Sequence, residues 1–227
     1  MRSSRDAVVE EITDQLLAGH LGDRPRRIGV DGITAAGKTT WADELTAAVR
    51  ARGCPALHLS TDDFHFPRAR RHRQGRTSAA GYYADAYDFA ALAEHVLRPL
   101  GPGGDRRIRP RIHDLESDRQ IDTEPITVPA EAVVIIDGTF LQRAELDGLW
   151  DEVIYVDTEP RTARARAAQR DAALFGGVVP VVQIYRTRYH AACALYAEEA
   201  EPVRRAGILL DNNDLDHPVL RRISGKG

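Results

Sequence analysis

The chain has 227 residues, a formal net charge of -3, and hydrophobic and charged fractions of 43% and 29%. That suits one α/β domain with its own core and excludes a chain disordered throughout. The negative balance excludes a protein whose main surface coats a nucleic-acid backbone, although Arg68 to Arg76 forms one local basic run. Cys54 and Cys193 are too few and too far apart for a disulfide framework or a zinc site, and both read as buried thiols. No stretch nears the ~20 apolar residues of a membrane span, and the first residues lack a signal-peptide apolar region. The expected location is the cytoplasm, with no membrane partner. The only lysines are Lys38 and Lys226, which marks Lys38 in a chain otherwise rich in arginine.

In chain order, Asp6 to Leu21 carries Val8, Val9, Ile12, Leu16 and Leu17 at helical spacing, with Gly19 and Gly22 as stop signals. Arg27 to Asp31 reads as a short apolar strand, followed by a glycine-bounded loop and a helix over Lys38 to Arg50. Ala56 to Ser60 reads as a second strand ending at Asp62 and Asp63. Residues 67–83 show no apolar period and read as a mobile loop near the strand ends. Phe89 to Leu100 reads as a helix, Gly101 to Asp105 as a turn, and Arg107 to His113 as an extended piece. Ala132 to Ile136 is the clearest buried strand, closing on Asp137 and Gly138. Glu152 to Val156 follows as another. Arg161 to Leu174 is a basic helix, separated by Gly176, Gly177 and Pro180 from a long one over Val181 to Ala200. Gly207 to Leu210 is the last strand expected. Strands alternating with helices predict a central parallel sheet with helices on both faces and ligands at the carboxyl ends of the strands.

Gly32, Ile33, Thr34, Ala35, Ala36, Gly37, Lys38 and Thr39 spell G-x-x-x-x-G-K-[ST]. Glycines let backbone N–H groups curl around phosphate oxygens, and the following helix offers its positive end. Lys38 adds a mobile charge, Thr39 a hydroxyl for Mg2+, and Thr40 a further hydrogen bond. Strand before and helix after are the context that the motif requires. The motif implies a bound nucleotide but does not separate a kinase from an ATPase, a GTPase or a nucleotide-gated switch.

Asp62, at the end of the second strand, is the candidate catalytic base, able to accept a proton from an acceptor hydroxyl while Lys38 and Mg2+ stabilise the transferred phosphoryl group. Asp137, after Val133 to Ile136, is the candidate carboxylate on the metal side. Arg161, Arg164, Arg166 and Arg170 share helix faces at spacings of three and four and could close on phosphate, or could form a solvated basic face. The run Arg68 to Arg76 lacks the interleaved aromatics of a nucleic-acid groove, so no nucleic-acid partner is expected.

These motifs together resemble the uridine kinase family, with kinship to bacterial pantothenate kinases and phosphoribulokinases. The resemblance runs from about Arg26 to Asn213 through Asp31-Gly-Ile-Thr-Ala-Ala-Gly-Lys-Thr-Thr40, Ser60-Thr-Asp-Asp-Phe64, Asp85-Ala-Tyr-Asp88, Val133-Val-Ile-Ile-Asp-Gly138 and Arg161 to Asp171. It implies the P-loop nucleoside triphosphate hydrolase fold as a single domain, with a small arginine-bearing lid near 161–179. It also implies ATP- and Mg2+-dependent phosphorylation of a hydroxyl on a small metabolite, with Asp62 as base and Arg164 and Arg170 as lid arginines. Around the acceptor the chain departs from the family: Gly81-Tyr-Tyr-Ala84 stands before Asp85 where uridine kinases carry an acidic residue and a His-Pro pair. In the lid, Phe175-Gly-Gly177 replaces Arg-Gly-Arg. His65, Tyr82, Tyr83, Asp85 and His113 are the acceptor candidates. A nucleoside is the expected acceptor, with pantothenate, another hydroxylated metabolite, or water in an ATPase-type regulator as alternatives. The oligomeric state stays open, a homo-oligomer included.

Overall fold

The computed structural model describes residues 4–19 and 22–223; Leu21, where the first helix was expected to end, and Lys226 lie outside them. Ten strands are present among the described residues: β1 Arg26–Gly32, β2 Ala56–Ser60, β3 Arg107–Ile108, β4 His113–Asp114, β5 Arg119–Gln120, β6 Ile126–Thr127, β7 Val133–Asp137, β8 Glu152–Asp157, β9 Ile208–Asp211 and β10 Val219–Ile223. The helices are α1 Ser4–Leu17, α2 Lys38–Ala51, α3 Arg68–Arg71, α4 Ala79–Asp85, α5 Phe89–Leu92, α6 Pro160–Phe175, α7 Val178–Ile184, α8 His190–Ala200 and α9 Pro202–Arg205. A π-helical turn, Tyr185–Tyr189, joins α7 to α8, so the long helix expected from Val181 to Ala200 is continuous but locally widened.

The main sheet has the order β10-β9-β8-β1-β7-β2, parallel except for β10. The five successive buried apolar residues Ala132 to Ile136 make β7 a central strand, as its sequence predicts. Its side chains alternate between two cores: Val134 and Ile136 pack with α4, α5 and α8, while Val133 and Ile135 pack with α1 and α2. The edge strand β10 was not expected, because Val-Leu-Arg-Arg-Ile has no strict alternation; it pairs antiparallel with β9 and slips register between Leu220 and Arg222. The stretch 67–83, read as loop, contains α3 and most of α4, whose Ser78 caps the helix by accepting from the Gly81 N–H. The short strands β3–β6 form two antiparallel pairs beside the sheet.

At the end of the sheet away from the P-loop, Asp151 accepts hydrogen bonds from Arg24 Nη2 at 2.7 Å, Arg27 Nη2 at 2.9 Å and the Arg27 N–H at 2.8 Å. Burial would raise the Asp151 carboxyl pKa, but the two guanidinium groups outweigh it and hold the group well below the usual carboxylate range. Arg27 is itself buried. Replacing Asp151 with asparagine is therefore expected to cost about 3 kcal/mol at pH 7 by leaving a buried guanidinium uncompensated, measured by urea unfolding. Because the folded pKa is depressed, the wild-type advantage is present above the unfolded value, about 4, and shrinks as pH falls through the folded one.

Candidate active site

Residues Ser60 and Val30 both pair in register with Asp137, so β2 and β7 end level while β1, on the other side of β7, runs two residues further to Gly32. At about 4.8 Å per strand, the loops leaving β1 and β2 stand roughly 10 Å apart, with Asp137 in the middle. This is the switch-point crevice of an open parallel sheet. A cavity of about 570 Å³ opens there.

The P-loop turns from β1 into α2. Gly37 caps α2 at φ +98°, with no side-chain hydrogen bond, so the first N–H groups of the helix remain available to an anion. The Lys38 side chain is buried, 8% exposed, and its Nζ donates to the Ile33 carbonyl at 2.9 Å. Burial lowers its pKa, opposed first by the charge of Asp137. The Thr39 hydroxyl donates to Asp137 Oδ2 at 2.7 Å. On the other Asp137 oxygen, His58 Nε2 stands at 2.9 Å, and His58 Nδ1 lies 2.8 Å from Asp43 Oδ1. Burial would lower the His58 pKa; the two carboxylates reverse this and raise it, favouring the imidazolium that can donate to both. For Asp137 the burial cost is likewise outweighed by His58, Thr39 and Lys38, which keep it ionised. A hydroxyl and an ionised carboxylate converging beside the loop fit a Mg2+ ion that takes its other ligands from phosphate and water. Among the described residues no group of three or more His, Cys, Asp or Glu side chains could hold a metal without such help.

Asp62 lies in the 3-10 turn Thr61–Phe64, which Ser60 caps by accepting from the Asp62 N–H. That turn is seated against the end of β7: a Cβ on Gly138 would stand 2.4 Å from Thr61 Oγ1, so only glycine allows the approach. The Asp62 side chain is 66% exposed and lines the cavity, whereas Asp63 turns away to Arg111 at 2.8 Å.

The cavity gathers Thr34, Ala35, Gly37, Lys38, Thr39, Thr40, Asp62, His65, Tyr82, Asp137 and Arg170 from the residues expected at the site. Gly32, Ile33 and Ala36 complete the P-loop behind that lining. Arg170 is steered by Asp171 at 2.7 Å and the Tyr185 hydroxyl at 3.0 Å. Arg164 is instead turned to His190 Nδ1 at 3.4 Å, and His190 Nε2 lies 3.0 Å from the Thr34 carbonyl, which makes Arg164 a neighbour of the loop's outer side. Arg166 is bound by the carbonyls of Asn212 and Asn213.

Three acceptor candidates do not reach the cavity. Tyr83 follows Tyr82 on α4 and so faces another way, packing on Phe140 and Tyr196 beneath the Arg143 guanidinium. Asp85 is buried against Arg73 at 2.7 Å and Gln74 at 2.8 Å. His113 is buried, with Asp118 its nearest carboxylate at 3.4 Å. Residues not singled out from sequence line the cavity instead, among them Tyr87, Arg188 and Tyr189. The signal for the last two was Tyr185-Arg-Thr-Arg-Tyr189, two arginines between aromatics inside an apolar helix. No helix among the described residues is long and apolar enough to cross a membrane.

Residues 27–194 match the model of the phosphoribulokinase / uridine kinase family. The chain is 30% identical over 149 residues to a uridine kinase of Clostridium novyi (strain NT), covering 65% of this chain and 69% of that one. To uridine-cytidine kinase B of Dictyostelium discoideum it is 30% identical over 150 residues, covering 66% of this chain and 59% of the relative. A solved structure described as a possible uridine kinase from Bacillus stearothermophilus superposes with a TM-score of 0.70 at 23% identity, covering 90% of this chain and 98% of that one. D-glycerate 3-kinase from Cryptococcus neoformans does so with a TM-score of 0.63 at 12% identity, covering 91% and 94%; these two likenesses speak to the fold. The match over most of the length, on a P-loop sheet with this crevice, means that the chain belongs to the phosphoribulokinase / uridine kinase family and is an ATP-dependent phosphotransferase acting on a small metabolite.

Proposed function

We propose that the protein transfers the γ-phosphoryl group of ATP to a hydroxyl of a metabolite held between the end of β2 and the Tyr185–Tyr189 turn, with Asp62 taking the hydroxyl proton. The observation that carries this reading is that an exposed carboxylate, Asp62, and the P-loop lysine, Lys38, line one cavity. The P-loop N–H groups and Lys38 hold the phosphates, and Arg170 approaches them from α6. Thr39 and Asp137 would hold Mg2+, which would supply charge neutralisation there, and His58 fixes the Asp137 carboxylate through its other oxygen. Arg164 supports the loop through His190. Residues 161–179 act as a lid and residues 67–83 as a mobile wall. The exposed apolar side chains of Leu174, Val178 and Val179 support the lid reading, because closure would cover them.

Uridine, the acceptor in the relatives' names, is the reference acceptor. ADP release with Mg2+ and ATP should depend on adding an acceptor alcohol, and the product mass should rise by one phosphoryl group. ADP release of equal rate without any acceptor would leave an ATPase and remove the transfer reading.

A further inference from the structure

The cavity holds more positive charge than phosphate binding on the P-loop side accounts for. Lys38 is placed on Ile33 and near Asp137, Arg71 is paired with Asp118 at 3.1 Å, and Arg170 is paired with Asp171. Arg188 differs. It lines the cavity at 9% exposure, its Nε has no hydrogen-bond partner, and no ion pair to it occurs among the described residues. Its guanidinium lies 5.3 Å from the ring centroids of both Tyr82 and Tyr189, contacts that soften the burial of a cation but do not neutralise it. A buried guanidinium with an unpartnered Nε and no carboxylate beside it, lining a cavity, is suited to bind an anion.

Arg188 belongs to the acceptor half. Tyr82, on which it packs, shares a hydroxyl contact of 3.1 Å with Tyr87, and burial together with the nearby charge of Asp62 pushes both phenols up. His72 and the exposed Arg76 also line the cavity. His72 is held below its ordinary pKa by burial, then by Arg188, Arg71 and Arg76, which puts all four in one electrostatic neighbourhood. A neutral nucleoside offers carbonyl and hydroxyl acceptors but no negative charge to set against them.

We propose that the acceptor carries an anionic group, a carboxylate or a phosphate ester, and that Arg188 binds it, with Arg76 and His72 completing the subsite. This rests on the transfer reading above and narrows its acceptor to a hydroxylated anion. A bidentate guanidinium–anion contact in a desolvated setting would fix the acceptor at one end and leave its free hydroxyl for Asp62.

Equilibrium binding of five probes, in the presence of Mg2+ and a non-hydrolysable ATP analogue, tests the subsite apart from turnover: uridine and fructose as neutral alcohols, glycerate and pantothenate as carboxylates, and ribulose 5-phosphate as a phosphate ester. At least one anionic probe should bind about tenfold or more tighter than both neutral ones, and the arm that binds distinguishes carboxylate from phosphate. Arg188→Gln should weaken that probe by about 10- to 100-fold, with partial recovery in Arg188→Lys and little change for the ATP analogue. Arg76→Ala, at an exposed position that spares the core, should weaken it several-fold and lower its salt dependence, so the test survives if Arg188→Gln does not fold. Uridine binding as tightly as every anion, or an Arg188→Gln defect confined to the ATP analogue, overturns the proposal. Anion binding that is lost in Arg188→Gln but never followed by phosphorylation leaves the subsite standing and removes the transfer reading instead.

Discussion

Replacing Asp62 with asparagine is expected to cut turnover by about 10²- to 10⁴-fold while leaving ATP affinity within about twofold. Asparagine has the same shape but cannot take a proton, so the change removes the base and little else. The turn is held by the Asp62 backbone N–H on Ser60 and by Thr61 against Gly138, none of which needs the carboxylate. With the side chain 66% exposed, the variant should unfold within about 0.5 kcal/mol of wild type. Steady-state rates with a competent acceptor, alongside nucleotide binding by calorimetry, separate the two effects. A variant that turns over normally would remove Asp62 as base and turn attention to the other acid of that turn, the half-buried Asp63, which Arg111 already occupies.

Where one residue type alone satisfies the chemistry, the site could be read from sequence. Gly37 and Lys38 are legible because the loop needs a positive φ at one and a cation at the other, and Asp137 because it closes a run of apolar residues that only a central strand explains. What sequence does not carry is which side chains from separate elements meet. His58 reads as an ordinary polar residue in a strand until β2 is laid beside β7 and its imidazole falls between Asp137 and Asp43. Tyr82 and Tyr83 are equivalent as letters, and only the angle of α4 sends one to the cavity and the other to Tyr196 and the Arg143 guanidinium. Arg188 was hidden by its helix, because a charged residue within an apolar period reads as solvent-facing whereas a π-helical turn rotates it inward. Likewise β10 was missed because an edge strand tolerates the charges that argue against a strand.

Replacing Lys38 with methionine is expected to lower kcat/KM by about 10²- to 10³-fold or more and to abolish most of the thermal stabilisation given by ATP, since the charge that meets developing phosphate negativity is gone. Without nucleotide, the same variant should melt no lower than wild type, within about 2 °C, or higher. The ammonium is buried, its pKa is lowered by that burial, and its one hydrogen bond goes to a carbonyl, Ile33. A lysine in that state costs folding energy that the bound phosphates, not the empty loop, offset. The carboxylates left behind are not stranded, because Asp137 keeps His58 and Thr39 and Asp31 keeps Tyr196, Gln142 and the Gly32 N–H. The sign with pH follows from the direction of the shift. With the folded pKa below the unfolded one, the unfolded chain binds the extra proton between the two values, so wild-type stability rises relative to Lys38→Met as pH climbs through that interval toward about 10.4. Melting curves of both proteins across the alkaline range test this: a parallel response, or a variant several kcal/mol less stable at neutral pH, would mean that Lys38 holds the loop together rather than waiting for its ligand.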